Sequence, residues 1–291
     1  MATTPRSTPG AAFDSFLREL APAAHQRRPW TPEAGPMPAV FLSHGAPPLF
    51  DDAEWMSELF TWAQSWPQPT GIVIISAHWE AAPPALSATA AQTPLVYDFG
   101  GFAPRYYSMT YPTPDASRLA ADVRAVMPDG TSLHQHSARG LDHGAWVPLK
   151  VMFPDADVPV VQLSLPSDAP AQLLTLGARL RPLRESGVLV IGSGFATHGL
   201  PFLTREMFVD NRPAQWSRDF DAWTASALAA GDLDTLVNFR TAPGMPYAHP
   251  TVEHFTPMFV ALGAASSSAA PLTTAITGFA MGLAKRSFEV Y

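Results

Sequence analysis

The chain has 291 residues, of which 47% are hydrophobic, so it is long enough to bury the core of one large domain. Its formal charge of -7, with only 18 lysines and arginines and no basic cluster, argues against nucleic acid as a partner. The absence of cysteine excludes disulfides, thiolate metal ligands and a cysteine nucleophile, so any metal site must use His, Asp or Glu.

The first 36 residues are predicted to form an extension outside the main domain. They lack the apolar segment of a secretory signal, and residues 13–20 favour a short amphipathic helix. No later stretch approaches the length of a membrane span. We therefore expect a cytoplasmic protein without a membrane partner, in which residues 37–291 form the catalytic domain and residues 1–36 have no catalytic role.

From residue 37 onward, strands and helices alternate. Continuous apolar runs predict buried strands over residues 37–42, 71–77, 158–165 and 188–192, with weaker strand character over residues 273–278. Apolar residues at helical spacing predict helices over residues 54–66, 115–126, 171–185, 213–229 and 254–265. This alternation predicts a single α/β domain with a largely parallel central sheet flanked by helices on both faces.

Histidines follow several of these predicted strands. His44 comes just after the first apolar run, His78 comes just after the second, and His198 follows the glycine-containing turn Gly192-Ser193-Gly194. Open α/β folds place their chemistry beyond the carboxyl ends of their strands, where His44 and His78 could share a metal ion. One histidine at a strand end is more often structural, but two at equivalent positions favour a metal site.

Other histidine motifs lie later in the chain. Asp142 either orients an acid/base imidazole at His143 or anchors its loop, and the sequence leaves both interpretations open. Thr251 is predicted to cap the last helix and Glu253 to lie in its first turn, whereas His254, which begins that helix, has no such structural explanation. The histidines in polar surroundings are expected on the surface: His25, His134 and His136.

A proline-rich and aromatic stretch runs over residues 94–114. Its rings, from Tyr97 to Tyr111, either line a pocket for a flat ligand or pack beneath a long loop. Arg105 and Arg139 either meet a substrate carboxylate or lie in solvent. The sequence therefore assigns no substrate-binding residue.

Taken together, the motifs resemble those of the class III extradiol ring-cleavage dioxygenases, the LigB-type superfamily, in its 4,5-DOPA dioxygenase-like branch. They occur in the family's order and span nearly all of the chain after residue 37. The matching segments are Phe41-Leu42-Ser43-His44-Gly45, Ile75-Ser76-Ala77-His78-Trp79, Tyr97-Asp98-Phe99 with Gly101-Phe102, Gly140-Leu141-Asp142-His143-Gly144-Ala145-Trp146, Ile191-Gly192-Ser193-Gly194 with Thr197-His198, and Ala248-His249-Pro250 with Glu253-His254.

The resemblance implies a non-haem metal site at the carboxyl edge of the sheet, working with iron(II), although members of this branch can bind zinc instead. Placed by motif position, the metal ligands would be His44, His78 and His254. His198 would be either a fourth ligand or an acid/base beside the metal, and His143 would be a catalytic group next to the substrate. The broader class uses two histidines and a glutamate, so Glu253 is the alternative to His254.

The activity implied is metal-dependent extradiol cleavage of a small catechol, DOPA-like or a related diol, with O2 to a muconic semialdehyde-type product. The expected partners are thus a small aromatic diol and O2, and the chain is expected to be a monomer or homodimer. Two alternatives stay open. One is a zinc-dependent hydrolase, which would work without O2. The other is a non-catalytic metal-binding protein on the same fold.

Overall fold

The centre of the molecule is a twisted sheet whose middle strands run parallel. The computed structural model describes residues 8–267 and 270–291. Within them the strands are β1 (Ala39–Ser43), β2 (Gly71–Glu80), β3 (Ala85–Leu86), β4 (His134–Gln135), β5 (Val160–Leu165), β6 (Val188–Gly194), β7 (Leu272–Ile276), β8 (Phe279–Ala280), β9 (Leu283–Ala284) and β10 (Ser287–Val290). The sheet order is β4-β3-β5-β2-β6-β1-β10-β7, and β8 pairs with β9 separately.

The four central strands, β5-β2-β6-β1, are all parallel to one another. Antiparallel pairs flank them, because β10 runs against β1 on one side and β3 runs against β5 on the other. Since β6 lies between β1 and β2, the segments that leave these three strands emerge side by side at one edge. That edge is where open α/β folds carry their ligand sites.

Both faces of the central sheet are buried. Along β1, Val40 and Leu42 belong to one apolar cluster, whereas Ala39 and Phe41 belong to another on the opposite face. A strand that is covered on both faces can be apolar at every position, which explains the continuous runs in the sequence.

Helices cover both of these faces. The described helices are α1 (Ala11–Glu19), α2 (Ala53–Gln64), α3 (Ser117–Ala125), α4 (His143–Met152), α5 (Pro170–Arg184), α6 (Arg205–Asp210), α7 (Gln215–Ala230), α8 (Leu233–Val237) and α9 (Pro257–Gly263). Buried residues of α1, α2 and α4 join the cluster that contains Val40, and those of α3, α5, α7 and α9 join the cluster that contains Phe41. The structure therefore confirms the predicted single α/β domain with helices on both faces.

The predicted extension packs against this domain over the part that the structure describes; its residues 1–7 lie outside the described residues. The short helix predicted over residues 13–20 is present as α1. Its buried rings, Phe13 and Phe16, join the same cluster as α2.

The prediction for the beginning of the last helix was wrong. Helix α9 begins at Pro257, so His254 lies in the turn before it, and Thr251 does not cap it. Instead, the Thr251 hydroxyl donates to the Glu253 carboxylate at 2.9 Å. Proline is favoured at the first position of a helix because its missing N–H would be unpaired there, and Pro257 was the sequence signal for this boundary.

The position of His78 also differs from the prediction. Strand β2 continues to Glu80, so His78 lies within the strand rather than after it. The pairing of β2 with β5 is irregular between Ile75 and Glu80, and this irregularity frees the last part of β2 from the regular ladder.

In the part of the chain that the structure describes, we found no helix with the length and apolar character needed to cross a membrane.

Candidate metal centre

Three imidazoles meet at the carboxyl edge of the sheet. His44 directly follows β1, His78 lies near the end of β2, and His254 lies in the turn before α9. The Nε2 atom of His78 is 3.0 Å from Nε2 of His44 and 3.2 Å from Nε2 of His254. These three side chains can each offer one ligand atom to a common point.

Glycines at the end of β6 let the turn that carries His254 approach the sheet. A Cβ added at Gly194 would overlap the carbonyl oxygen of His254, and one added at Gly192 would overlap that of Pro257. The same carbonyl of His254 accepts a hydrogen bond from the backbone N–H of Phe195 at 2.7 Å. The close approach thus holds His254 over β6, between His44 and His78.

Replacing Gly194 by alanine is expected to lower stability and weaken metal binding together, because the new methyl group would push the His254 turn away from β6. Overpacking of this kind costs about 1–3 kcal/mol, and each kcal/mol lowers the melting temperature by roughly 2–4 °C in a chain of this size. Thermal unfolding with and without metal measures both effects. Gly100→Ala is the control, since a Cβ there meets nothing within 4 Å, and equal behaviour of the two variants would contradict this account.

Hydrogen bonds on the outer nitrogens fix where the ring protons lie. Ser193 Oγ donates its only proton to the carbonyl of Gly144, so the contact of 2.9 Å between His44 Nδ1 and Ser193 Oγ requires the proton on Nδ1. His254 Nδ1 donates to Glu253 Oε1 at 2.9 Å. Asp98 Oδ2 lies 3.6 Å from His78 Nδ1 and favours a proton there as well. All three Nε2 atoms therefore present lone pairs to one another.

This donor set fits a divalent transition metal. Burial, followed by the neighbouring histidines, lowers the pKa of His44 and of His254 well below the usual value, and burial lowers the pKa of His78 to about 3. The rings are therefore neutral at physiological pH, and protonation does not relieve the repulsion between their lone pairs. A bound cation would relieve this repulsion. Neutral imidazoles are ligands that suit iron and zinc.

His143, the first residue of α4, lies beside this group. Its ring centroid is 3.9 Å from that of His78. The carboxylate of Asp98 accepts from His143 Nδ1 at 2.9 Å and from the backbone N–H of His143 at 3.0 Å. Burial tends to raise the pKa of Asp98, but the hydrogen bonds from His143 outweigh it and lower that pKa below its usual value. An ionised Asp98 thus holds a His143 proton on Nδ1, and in that neutral tautomer Nε2 is the acceptor.

Asp142 has a different role from Asp98. Its carboxylate is fully buried and accepts a hydrogen bond from Gln162, whose side-chain carbonyl accepts from the Asp142 backbone at 3.1 Å. Of the two functions that the sequence left open, the structure shows the anchoring one. The sequence reasoning did not single out Asp98 for a role, although Asp98 stands in the Tyr97-Asp98-Phe99 motif.

His198 is a fifth imidazole at this edge. Its ring lies on that of His254 with centroids 3.4 Å apart and planes 11° apart. Burial lowers the pKa of His198 to about 4. By contrast, His249 donates to the carbonyl of Ala196 at 2.9 Å and belongs to the supporting structure, and His25 and His134 are exposed.

Aromatic rings line one side of the group. Phe99 meets the ring of His143 edge to face at 5.8 Å, and Tyr107 packs on Phe99 at 4.8 Å. The two arginines that the sequence left open both have partners: Arg105 pairs with Asp14, and the guanidinium of Arg139 lies 4.4 Å above the ring of Trp79.

This chain is similar to known proteins over most of its length. A family model described as the catalytic LigB subunit of aromatic ring-opening dioxygenase matches residues 38–281. The 4,5-DOPA dioxygenase extradiol of Beta vulgaris is 38% identical over 241 residues, which cover 78% of this chain and 87% of that protein. The protein of the same name from Escherichia coli (strain K12) is 35% identical over 253 residues, with coverage of 84% and 91%.

Among solved structures, an uncharacterised protein from Escherichia coli K12 superposes with a TM-score of 0.73 at 28% identity. The match covers 88% of this chain and all of that one. The likeness therefore extends over most of this chain.

Proposed function

This chain belongs to the LigB family of aromatic ring-opening dioxygenases and is an extradiol dioxygenase, and from that premise we propose that its substrate is a small catechol, DOPA-like or a related diol. The ring would open beside the diol, with both atoms of O2 incorporated, to a muconic semialdehyde-type product. The observation that carries the proposal is the meeting of three neutral imidazoles beside His143 and a wall of aromatic rings.

We assign the metal ligands as His44, His78 and His254. Iron(II) is the metal proposed for the active enzyme, and zinc is a competing occupant of the same donor set. Bound there, iron(II) would supply redox chemistry for the reaction between the diol and O2. Glu253 then supports His254 by accepting a hydrogen bond from its Nδ1–H rather than binding the metal itself.

The chain's own residues would handle the protons. His143, whose Nδ1 proton is held by Asp98, is proposed to accept a proton at Nε2 from a catechol hydroxyl as the diol binds. His198, stacked on His254, is proposed as the second acid/base group and not as a fourth ligand, because its ring covers a face of His254. Phe99 and Tyr107 would shield the diol ring from water on the side of His143.

The test is oxygen uptake by protein reconstituted anaerobically with iron(II), against a panel of DOPA, catechol and caffeate-like acids. We expect one O2 consumed per diol, with a yellow ring-opened product, and no uptake by zinc-loaded protein. No uptake with any diol, despite one bound iron per chain, would overturn the proposal. The comparisons do not favour a hydrolase, and turnover by zinc-loaded protein without O2 would be its signature.

A further inference from the structure

We infer that the N-terminal strap, residues 8–20, holds the aromatic loop, residues 97–111, in place beside His143 and so helps to set the affinity for substrate. The part of this inference that concerns substrate rests on the proposed function. The family model matches from residue 38, so the strap lies outside the region that defines the family.

The strap has a firm base on the domain. Phe13 packs on Phe50 with centroids 4.7 Å apart, and Phe16 meets Phe60 edge to face at 5.3 Å. Both strap rings are buried, at 3% and 4% exposed. Burial of two phenylalanines in the main core is typical of a docked element rather than a loose tail.

From this base the strap binds one residue of the aromatic loop with several groups. Arg105 donates to both carboxylate oxygens of Asp14, one of them at 2.8 Å, and to the carbonyl of Pro9 at 3.2 Å. Gly10 has φ +77°, and a Cβ there would lie 2.7 Å from Nε of Arg105. The strap backbone is therefore shaped around this guanidinium, and a bidentate pair fixes its direction as well as its position.

A second contact joins the strap to the next residue of the loop. The carboxylate of Asp51 accepts from the backbone N–H of Gly10 and from the hydroxyl of Tyr106, which is 2% exposed. Arg105 and Tyr106 both lie in the 3-10 turn Pro104–Ser108. The strap thus contacts this turn directly at Arg105, and it is linked to Tyr106 through Asp51 of the main domain.

The turn leads directly to the candidate site. Tyr107, the next residue, packs on Phe99, and Phe99 meets the ring of His143. Neither Asp14 nor Arg105 is among the residues grouped at the metal centre. Loosening the strap should therefore alter the substrate wall and leave the metal in place.

The expected effect is on KM. If the loop occupies the position beside His143 only part of the time, the apparent affinity for the diol falls in proportion to the fraction of molecules that are competent to bind it. We expect Asp14→Ala to raise KM for the diol about three- to tenfold, with kcat and bound metal close to wild type. Hydrogen exchange of amides 99–108 should become faster in the same variant, since those amides lose their restraint.

Three further variants sharpen the test. Arg105→Gln breaks the pair from the loop side. The exchanged pair D14R/R105D should restore the wild-type KM and the wild-type rate of hydrogen exchange in the loop. Asp168→Ala, which breaks an exposed pair with Arg240, is the matched control and should change neither. Unchanged KM and unchanged loop exchange in Asp14→Ala and Arg105→Gln would overturn the inference. If the wild-type protein consumes no diol but the loop amides exchange faster in Asp14→Ala, the role of the strap is supported and the proposed function is refuted.

Discussion

Replacing His78 by alanine is expected to remove both the bound metal and the ring-cleavage activity. His78 Nε2 is the atom that lies within 3.2 Å of Nε2 in each of the other two imidazoles, so its loss leaves only two ligands. Loss of an outer hydrogen-bond partner of a ligand already costs about 10- to 100-fold in metal affinity or activity, so loss of the ligand itself should exceed about 100-fold. Metal content by elemental analysis and oxygen uptake measure the two effects.

The matched control is His136→Ala, which removes a partly exposed imidazole that is outside the metal group and packs near Trp79. It should retain one metal per chain and wild-type turnover. Circular dichroism shows whether each variant is folded. A folded His78→Ala protein that binds one iron per chain and turns over at the wild-type rate would refute the ligand assignment.

Changing Asp98 to asparagine is expected to lower kcat by about 10- to 100-fold while most of the metal stays bound. Asparagine has nearly the same shape but no charge, and its amide can present either a donor or an acceptor toward His143. The ring proton is then no longer fixed on Nδ1 by the 2.9 Å contact, so Nε2 of His143 is available as a base for only part of the time. Steady-state kinetics with iron content measured on the same samples separates this loss from loss of metal.

Asp155→Asn is the control for this substitution, because Asp155 forms the same kind of pair with His25, at 3.1 Å, on the exposed surface. It should leave kcat unchanged. Wild-type kcat in Asp98→Asn would show that the charge of Asp98 plays no part in turnover. If Asp98→Asn loses iron in proportion to its loss of activity, the substitution acts through the proposed ligand His78 instead of through His143.

Much of the fold was predictable because the central strands are covered on both faces. An apolar residue at every position, as in Ile72 to Ile75, leaves few alternatives to a buried strand, and the alternation with helices then fixes the class. Helix α4 was missed because Pro148 interrupts its pattern, although this proline lies inside the helix. Strand β10 was missed because it has only four residues and one of them, Glu289, is charged.

The sequence predicts the site only where an apolar run marks a buried strand. His44 and His78 each follow such a run. Nothing in the sequence near Asp98 indicates that its partner, His143, is 45 residues further along the chain. The choice between Asp98 and Asp142 as the partner of His143 depends on the path of a loop. From the sequence, Asp142 could either orient His143 or anchor its own loop, and the structure turns its carboxylate toward Gln162.

The long separations between the three imidazoles determine when, in the life of the protein, metal can enter. His44 and His78 are 34 residues apart, and His78 and His254 are 176 residues apart. No short segment of the chain holds all three of these imidazoles, so the site that they form exists only in the folded protein. Folding must therefore bring β1, β2 and the turn before α9 together before the three proposed ligands can bind one ion.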